Sequence, residues 1–302
     1  MSGERRDAAI AWLVIVVIWS TTPLAIQWSA QGAGFIFSLL TRMLIAAALF
    51  AVILAWQRHG ELFTRGGLIA AAVSGFGIYA TMMLIYWAAQ FIPSGLIAVL
   101  FGLSPIAAAL WSQWLLPGDR ITRLGVLGVV VGISGLWMIF GSGTLLAASA
   151  VPGIIATLLG MSIQNGVLVV LKRFGAEQGP LTMTAGGVMF AALLYIPSWW
   201  LVGAPVPADV PLRAVLSIIY LGVIGSVLGF LLYFSLLKRI SPVSLSLVTL
   251  ITPVTALFLG QQLNDESLPR ETWLGVGLIL AGLSLYQFGS WQAMRRIYKR
   301  IR

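Results

Sequence analysis

Ten stretches of about twenty mostly apolar residues follow one another along this chain, separated by short polar connections, and no other feature narrows its fold as much. A hydrocarbon layer about 30 Å thick is crossed by roughly twenty helical residues. Within it every backbone N–H and C=O must find a partner inside the protein, which leaves helices and closed barrels as the only spanning structures. Runs of this length specify helices, near residues 8–29, 36–56, 67–90, 93–116, 124–141, 151–172, 181–203, 212–237, 241–262 and 272–291. Hydrophobic residues make up 59% of the chain and charged ones 9%, whereas soluble domains carry about a quarter charged residues. The expected class is an all-α membrane protein with the lipid bilayer as its solvent. The first run follows MSGERRD, is too long for a signal-peptide core and continues through Trp19 and Pro23, so it reads as a retained span.

The net charge of +9 does not point to nucleic acid, because the basic residues sit in short clusters between apolar runs and form no stripe. Fifteen of the 18 fall on one side of a ten-span arrangement: Arg5, Arg6, Arg58, Arg65, Arg120, Arg123, Lys172, Arg173, Lys238, Arg239, Arg295, Arg296, Lys299, Arg300 and Arg302. Cytoplasmic connections are the ones enriched in Lys and Arg. The reading is therefore a multi-pass protein of a bacterial inner membrane with both termini in the cytoplasm. Tryptophan, which prefers the headgroup level, falls near the predicted span ends at eleven of its twelve positions; Trp19 alone is placed at mid-membrane.

The second half of the sequence repeats the first. Gly118 to Gly135 aligns with Asp265 to Gly282 at an offset of 147, pairing Asp119 with Glu266, Arg123 with Arg270, Gly128 with Gly275 and Gly135 with Gly282. Upstream, Tyr86 pairs with Tyr233, and Ser104-Pro105 pairs with Thr252-Pro253 after one residue of slippage. Five spans per copy turn the second copy upside down, the architecture of many secondary transporters. The fold expected is ten transmembrane helices in two inverted repeats, residues 1–145 and 146–302, forming one transport domain.

These residues resemble the EamA-type members of the drug/metabolite transporter superfamily. The resemblance rests on the Ser104-Pro105 dipeptide, the Gly118-Asp119-Arg120 turn and the glycines from Gly128 to Gly135, repeated as Thr252-Pro253, Asp265-Glu266 and Gly275 to Gly282. It covers essentially the whole chain, and in length and spacing the sequence is similar to the YddG-like aromatic amino-acid exporters. It implies a central pathway and export of small solutes. The first copy departs from the family in having Asp119 where Glu is usual, and the second lacks the Gly and Arg around Glu266.

The candidate site is read from polar, aromatic and proline residues inside spans. Pro23, Pro105 and Pro253 each remove a donor and free the carbonyl four residues earlier, at Trp19, Phe101 and Thr249. Such acceptors either mark a packing kink or line a cavity. Tyr79, Met82, Met83 and Tyr86 recur at helical spacing on one face of the third span and map by the repeat onto Ser226, Gly229, Phe230 and Tyr233. Asn165 sits mid-span and maps onto Thr22; it either bonds a neighbouring helix or faces a cavity. A mid-membrane pocket lined by Trp19, Thr22, Tyr79, Met83, Phe101, Asn165 and Tyr233 would receive a zwitterion. Arg42, inside the second span, either snorkels to the outer headgroups or captures a substrate carboxylate at the outer gate. The glycines of the fifth and tenth spans are assigned to helix packing.

With no cysteine, a single histidine (His59) in a polar connection and no Asp or Glu in the middle of a span, no catalytic constellation, metal site or cofactor is expected, and the chain is not read as an enzyme. The function expected is export of small zwitterionic metabolites, amino acids including aromatic and hydrophobic ones, by facilitative alternating access. Two rivals share the hydropathy: a broad exporter of drug or lipid-like solutes, and a polytopic assembly or sensor subunit that transports nothing.

Overall fold

The computed structural model describes residues 3–57, 60–116, 122–141, 150–173, 178–237, 242–266 and 269–301. Asp119 of the first repeat turn and His59 lie outside them. The helices are α1 Gly3–Ala33, α2 Phe35–Trp56, α3 Arg65–Ala88, α4 Ser94–Phe101, α5 Ser104–Leu115, α6 Arg123–Gly141, α7 Ala150–Arg173, α8 Pro180–Val202, α9 Leu212–Tyr220, α10 Gly229–Leu237, α11 Pro242–Asn264 and α12 Arg270–Ile301. A wide-turned π segment, Leu221–Leu228, joins α9 to α10. Among the described residues α4 with α5, and α9 with α10, each build one segment, so the twelve helices are consistent with ten spans. Among the described residues eight helical segments are long and apolar enough to cross a membrane, and Arg123–Ile139 is a shorter apolar one.

The fourth span differs from the expectation of a continuous helix kinked at an interior proline. It breaks at Gly102 and Leu103, and Pro105 sits in the first turn of α5, where a missing N–H costs nothing. The Phe101 carbonyl accepts the Ser104 hydroxyl at 2.7 Å. It is therefore already engaged, not the vacant acceptor that the sequence suggested. Pro23, Pro197 and Pro253, by contrast, do lie inside α1, α8 and α11.

The two-fold relation between the halves is visible in the α6–α12 pair. A Cβ on Gly128 would lie 2.5 Å from the Gly282 carbonyl oxygen, and one on Gly135 would lie 2.5 Å from the Gly275 oxygen. Gly128 is the repeat mate of Gly275 and Gly135 that of Gly282, so the symmetry exchanges one contact for the other. The same exchange brings Gly75 of α3 onto α8, against Phe190 and Gly187, and its mate Gly222 onto α2, against Ile45. Each third span thus packs on the other half, with α3 against α7 and α8, and α9 and α10 against α1. One apolar core, running from Ala25 to Ile279, draws on both halves. Helix packing of this kind relies on close backbone approach, since lipid offers no hydrophobic drive between helices. Trp56, Trp114, Trp137 and Trp200, all near span ends, present their rings outward.

Candidate substrate site

Arg42 is 4% exposed, so it does not snorkel. Its helix turns the side chain inward, where Nε donates to Ser226 Oγ at 3.1 Å and Nη1 to Tyr86 Oη at 3.3 Å, with the guanidinium 5.9 Å from the Tyr86 ring centroid. The reason is local: Ser226 and Tyr86 are both buried hydroxyls in need of partners. A guanidinium carries five N–H donors, and these bonds engage two. Among the described residues Arg42 has no carboxylate partner. Moving an isolated cation to mid-bilayer costs about 2.5–3.5 kcal/mol on the mildest scale.

Gly225, in the π segment, approaches Arg42 closely and leaves room for no more than a methyl group. A Cβ there would be in ordinary contact with Leu221 Cδ2 at 3.5 Å, Thr22 Oγ1 at 3.8 Å and Arg42 Nη2 at 3.9 Å, so these two polar atoms face the same methyl-sized space between α1, α2 and the π segment. Thr22 Oγ1 donates back to the Ile18 carbonyl at 2.7 Å, and Thr21 Oγ1 is 2.6 Å from Tyr220 Oη. π segments add a residue to a turn and recur at functional sites; here the wide turn carries Ser226 to the guanidinium.

The candidate residues fall into separate groups. Trp19 and Tyr233 meet, ring centroids 5.3 Å apart, beside Ile15, Leu236 and Val248. Tyr79 and Met83 pack half-buried on the large core, as does Phe101. Tyr79 Oη is 2.7 Å from Ser198 Oγ, and its ring lies 4.9 Å from that of Tyr195, which is fully buried and donates to the carbonyls of Ile78 and Tyr79. Asn165 is buried and donates from Nδ2 to the Met161 carbonyl of its own helix at 2.8 Å, a bond that neither of its two readings, a cross-helix partner or a cavity-facing amide, included. A cavity of about 520 Å³ opens between α5, α6 and α7, walled by Leu103, Ile106, Trp111, Trp114, Ile133 and Met161 among others, and none of the seven candidate residues lines it. Tyr195 and Ser198 went unnoticed in the sequence. Their signal was weak, since a hydroxyl pair three residues apart beside a proline occurs also at Thr252 and Thr255 around Pro253.

Comparison with known proteins is consistent with this architecture. The EamA-like transporter family matches residues 7–141 and, again, residues 151–287. The chain belongs to the EamA-like transporter family. As an EamA-like protein it is a multi-pass membrane transporter of small molecules. It is 26% identical to the uncharacterized inner membrane transporter YedA of Escherichia coli, covering 93% of this chain and 90% of that one. A probable terminal-alkyne amino-acid exporter of Streptantibioticus cattleyicolor is also 26% identical, with 93% and 94% covered. Protein PagO of Salmonella typhimurium is 24% identical over 93% of both chains. A solved crystal structure, 20% identical, shares the fold with a TM-score of 0.64 over 93% of this chain and 96% of that chain.

Proposed function

We propose that this EamA-like transporter exports small zwitterionic metabolites, amino acids including aromatic and hydrophobic ones, across a bacterial inner membrane with both termini in the cytoplasm. The observation that carries the proposal is Arg42, a buried guanidinium with spare donors and, among the described residues, no carboxylate against it. A substrate carboxylate supplies the missing charge and the matching planar geometry. Thr22 and Ser226 stand beside it for polar contacts, while Trp19 and Tyr233 offer ring surface for an apolar side chain. That division, apolar walls with a few placed polar groups, is usual in small-molecule pockets. The exporter of S. cattleyicolor, whose name specifies amino acids, supports the same class.

In this reading residues 1–145 and 146–302 form one transport domain whose halves rock about the site. Among the described residues no Asp or Glu lies in the middle of a span, so no mid-membrane carboxylate is available to couple that motion to protons, which supports facilitative transport. A second reading, export of drug or lipid-like solutes, draws on the apolar cavity between α5, α6 and α7. Counterflow of radiolabelled amino acids in proteoliposomes at equal pH and zero potential separates them. Amino acids should exchange, and their amides, which lack the carboxylate, should compete poorly. Equal competition by amides removes the Arg42 assignment, and exchange that starts only under a proton gradient removes the facilitative one.

A further inference from the structure

Eight hydrogen bonds and one ring contact fasten together the ends of four spans on the face opposite the basic connections, and the substrate site uses none of them. Glu266, in the turn after α11, is their centre. Its Oε1 accepts from Ser94 N at 3.0 Å, Ser94 Oγ at 2.7 Å and Asn264 Nδ2 at 3.1 Å, and its Oε2 from Gly95 N at 3.1 Å. Gln27 Oε1 accepts from Ser94 N and from Asn264 Nδ2, both at 3.2 Å, and Trp28 Nε1 donates to Asn264 Oδ1 at 2.8 Å. Arg213 lies 3.7 Å over the Trp28 ring and donates to the Leu263 carbonyl at 2.8 Å.

Two backbone features hold the carboxylate there. Asp265 takes φ 50, a left-handed conformation that Asp tolerates better than most residues, and Glu266 N then donates to the Gly260 carbonyl at 3.2 Å. Gly260 leaves the room: a Cβ at that position would come within 2.3 Å of Glu266 Oε2. A carboxylate against the first N–H groups of α4 also meets the positive end of that helix, and its bonds are charge-assisted.

The four ends come from both halves, α1 and α4 from the first and α9 and α11 from the second. Thr22 lies five residues below Gln27 on α1, about 7.5 Å at 1.5 Å per residue. We propose that Glu266 is the latch of the outer gate, holding the outer ends of α1, α4, α9 and α11 closed over the site and releasing them when its carboxylate parts from Ser94 and Gly95. The word outer rests on the orientation proposed above.

The absence of native cysteine makes the test direct. With Thr22→Cys as reporter, labelling by an impermeant anionic methanethiosulfonate is followed in right-side-out and inside-out vesicles. Glu266→Ala should raise the rate at least tenfold from the outer side, and Glu266→Gln should raise it less. Asn264→Ala, which spares the Ser94 and Gly95 bonds, should give a smaller rise and decides the matter if Glu266→Ala does not accumulate. Ser94 Oγ lies 3.2 Å from where a Cβ on Gly260 would sit, a gap a disulfide spans. Oxidised Ser94→Cys/Gly260→Cys in the Glu266→Ala background should return the reporter to its parental rate. A rise seen only from the inner side keeps the latch and reverses the orientation. Parental labelling from both sides in Glu266→Ala and Asn264→Ala overturns the latch.

Discussion

Replacing Gly128 by Ala puts a methyl group where two backbones already touch. Its Cβ would lie 2.5 Å from the Gly282 oxygen and 2.7 Å from Tyr286 N, and Cβ atoms essentially never approach closer than 3.0 Å, so α6 and α12 must separate by about half an ångström. Neither obstacle is the end of a flexible side chain that can swing away. Overpacking of this kind costs about 1–3 kcal/mol, against the roughly 0.5–1 kcal/mol that Gly to Ala returns in a helix interior. Gly277 provides the control, because a Cβ there meets nothing within 4 Å. Thermal unfolding of the purified protein in one detergent should therefore show Gly277→Ala at or above the parental midpoint and Gly128→Ala several degrees below it. Gly135→Ala should behave like Gly128→Ala, since the repeat exchanges their contacts. The folded fraction of each should still transport, because these helices are scaffold. A Gly128→Ala protein as stable as Gly277→Ala would refute the reasoning, and with it the packing role given to the repeated glycines.

Arg42→Met removes a buried charge, gaining back about 2.5–3.5 kcal/mol of insertion cost while leaving the Ser226 and Tyr86 hydroxyls short of a partner at about 1–3 kcal/mol each. Stability should change little, whereas half-saturation for carboxylate substrates should rise about 10²–10³-fold, the worth of an ion pair at about 4 Å in an effective dielectric near 20; a collapse of folding with intact affinity in the surviving protein would make Arg42 structural only. Glu61→Ala strips the start of α8 of the carboxylate that accepts from Gly179 N at 2.8 Å and Thr182 Oγ1 at 2.7 Å, so the unfolding midpoint should fall by an amount equivalent to about 1–2 kcal/mol. Trp19→Ala removes the ring that faces Tyr233 and should weaken counterflow of aromatic amino acids more than of small aliphatic ones; equal loss for both would move the apolar subsite elsewhere.

Hydropathy and the 147-residue repeat determined the spans, their number and their inversion, because each is a property of residues near one another in the chain and survives any detail of packing. The predicted runs 36–56, 181–203 and 212–237 lie within a residue or two of α2, α8 and the α9–α10 span. The glycines assigned to packing in the fifth and tenth spans do meet, Gly128 with Gly282 and Gly135 with Gly275. What periodicity could not decide was direction and partner. Arg42 had two readings of similar merit until helix rotation turned it toward Ser226, 184 residues away. Asn165 bonds within its own helix because its amide lies over the Met161 carbonyl one turn back. Glu266 was visible as a repeat position, yet its role depends on Ser94, 172 residues distant, and on the space left by Gly260. Helices in lipid are specified one at a time by hydropathy, but their facing surfaces are chosen jointly, through close packing and hydrogen bonds that exist only once all of them are assembled.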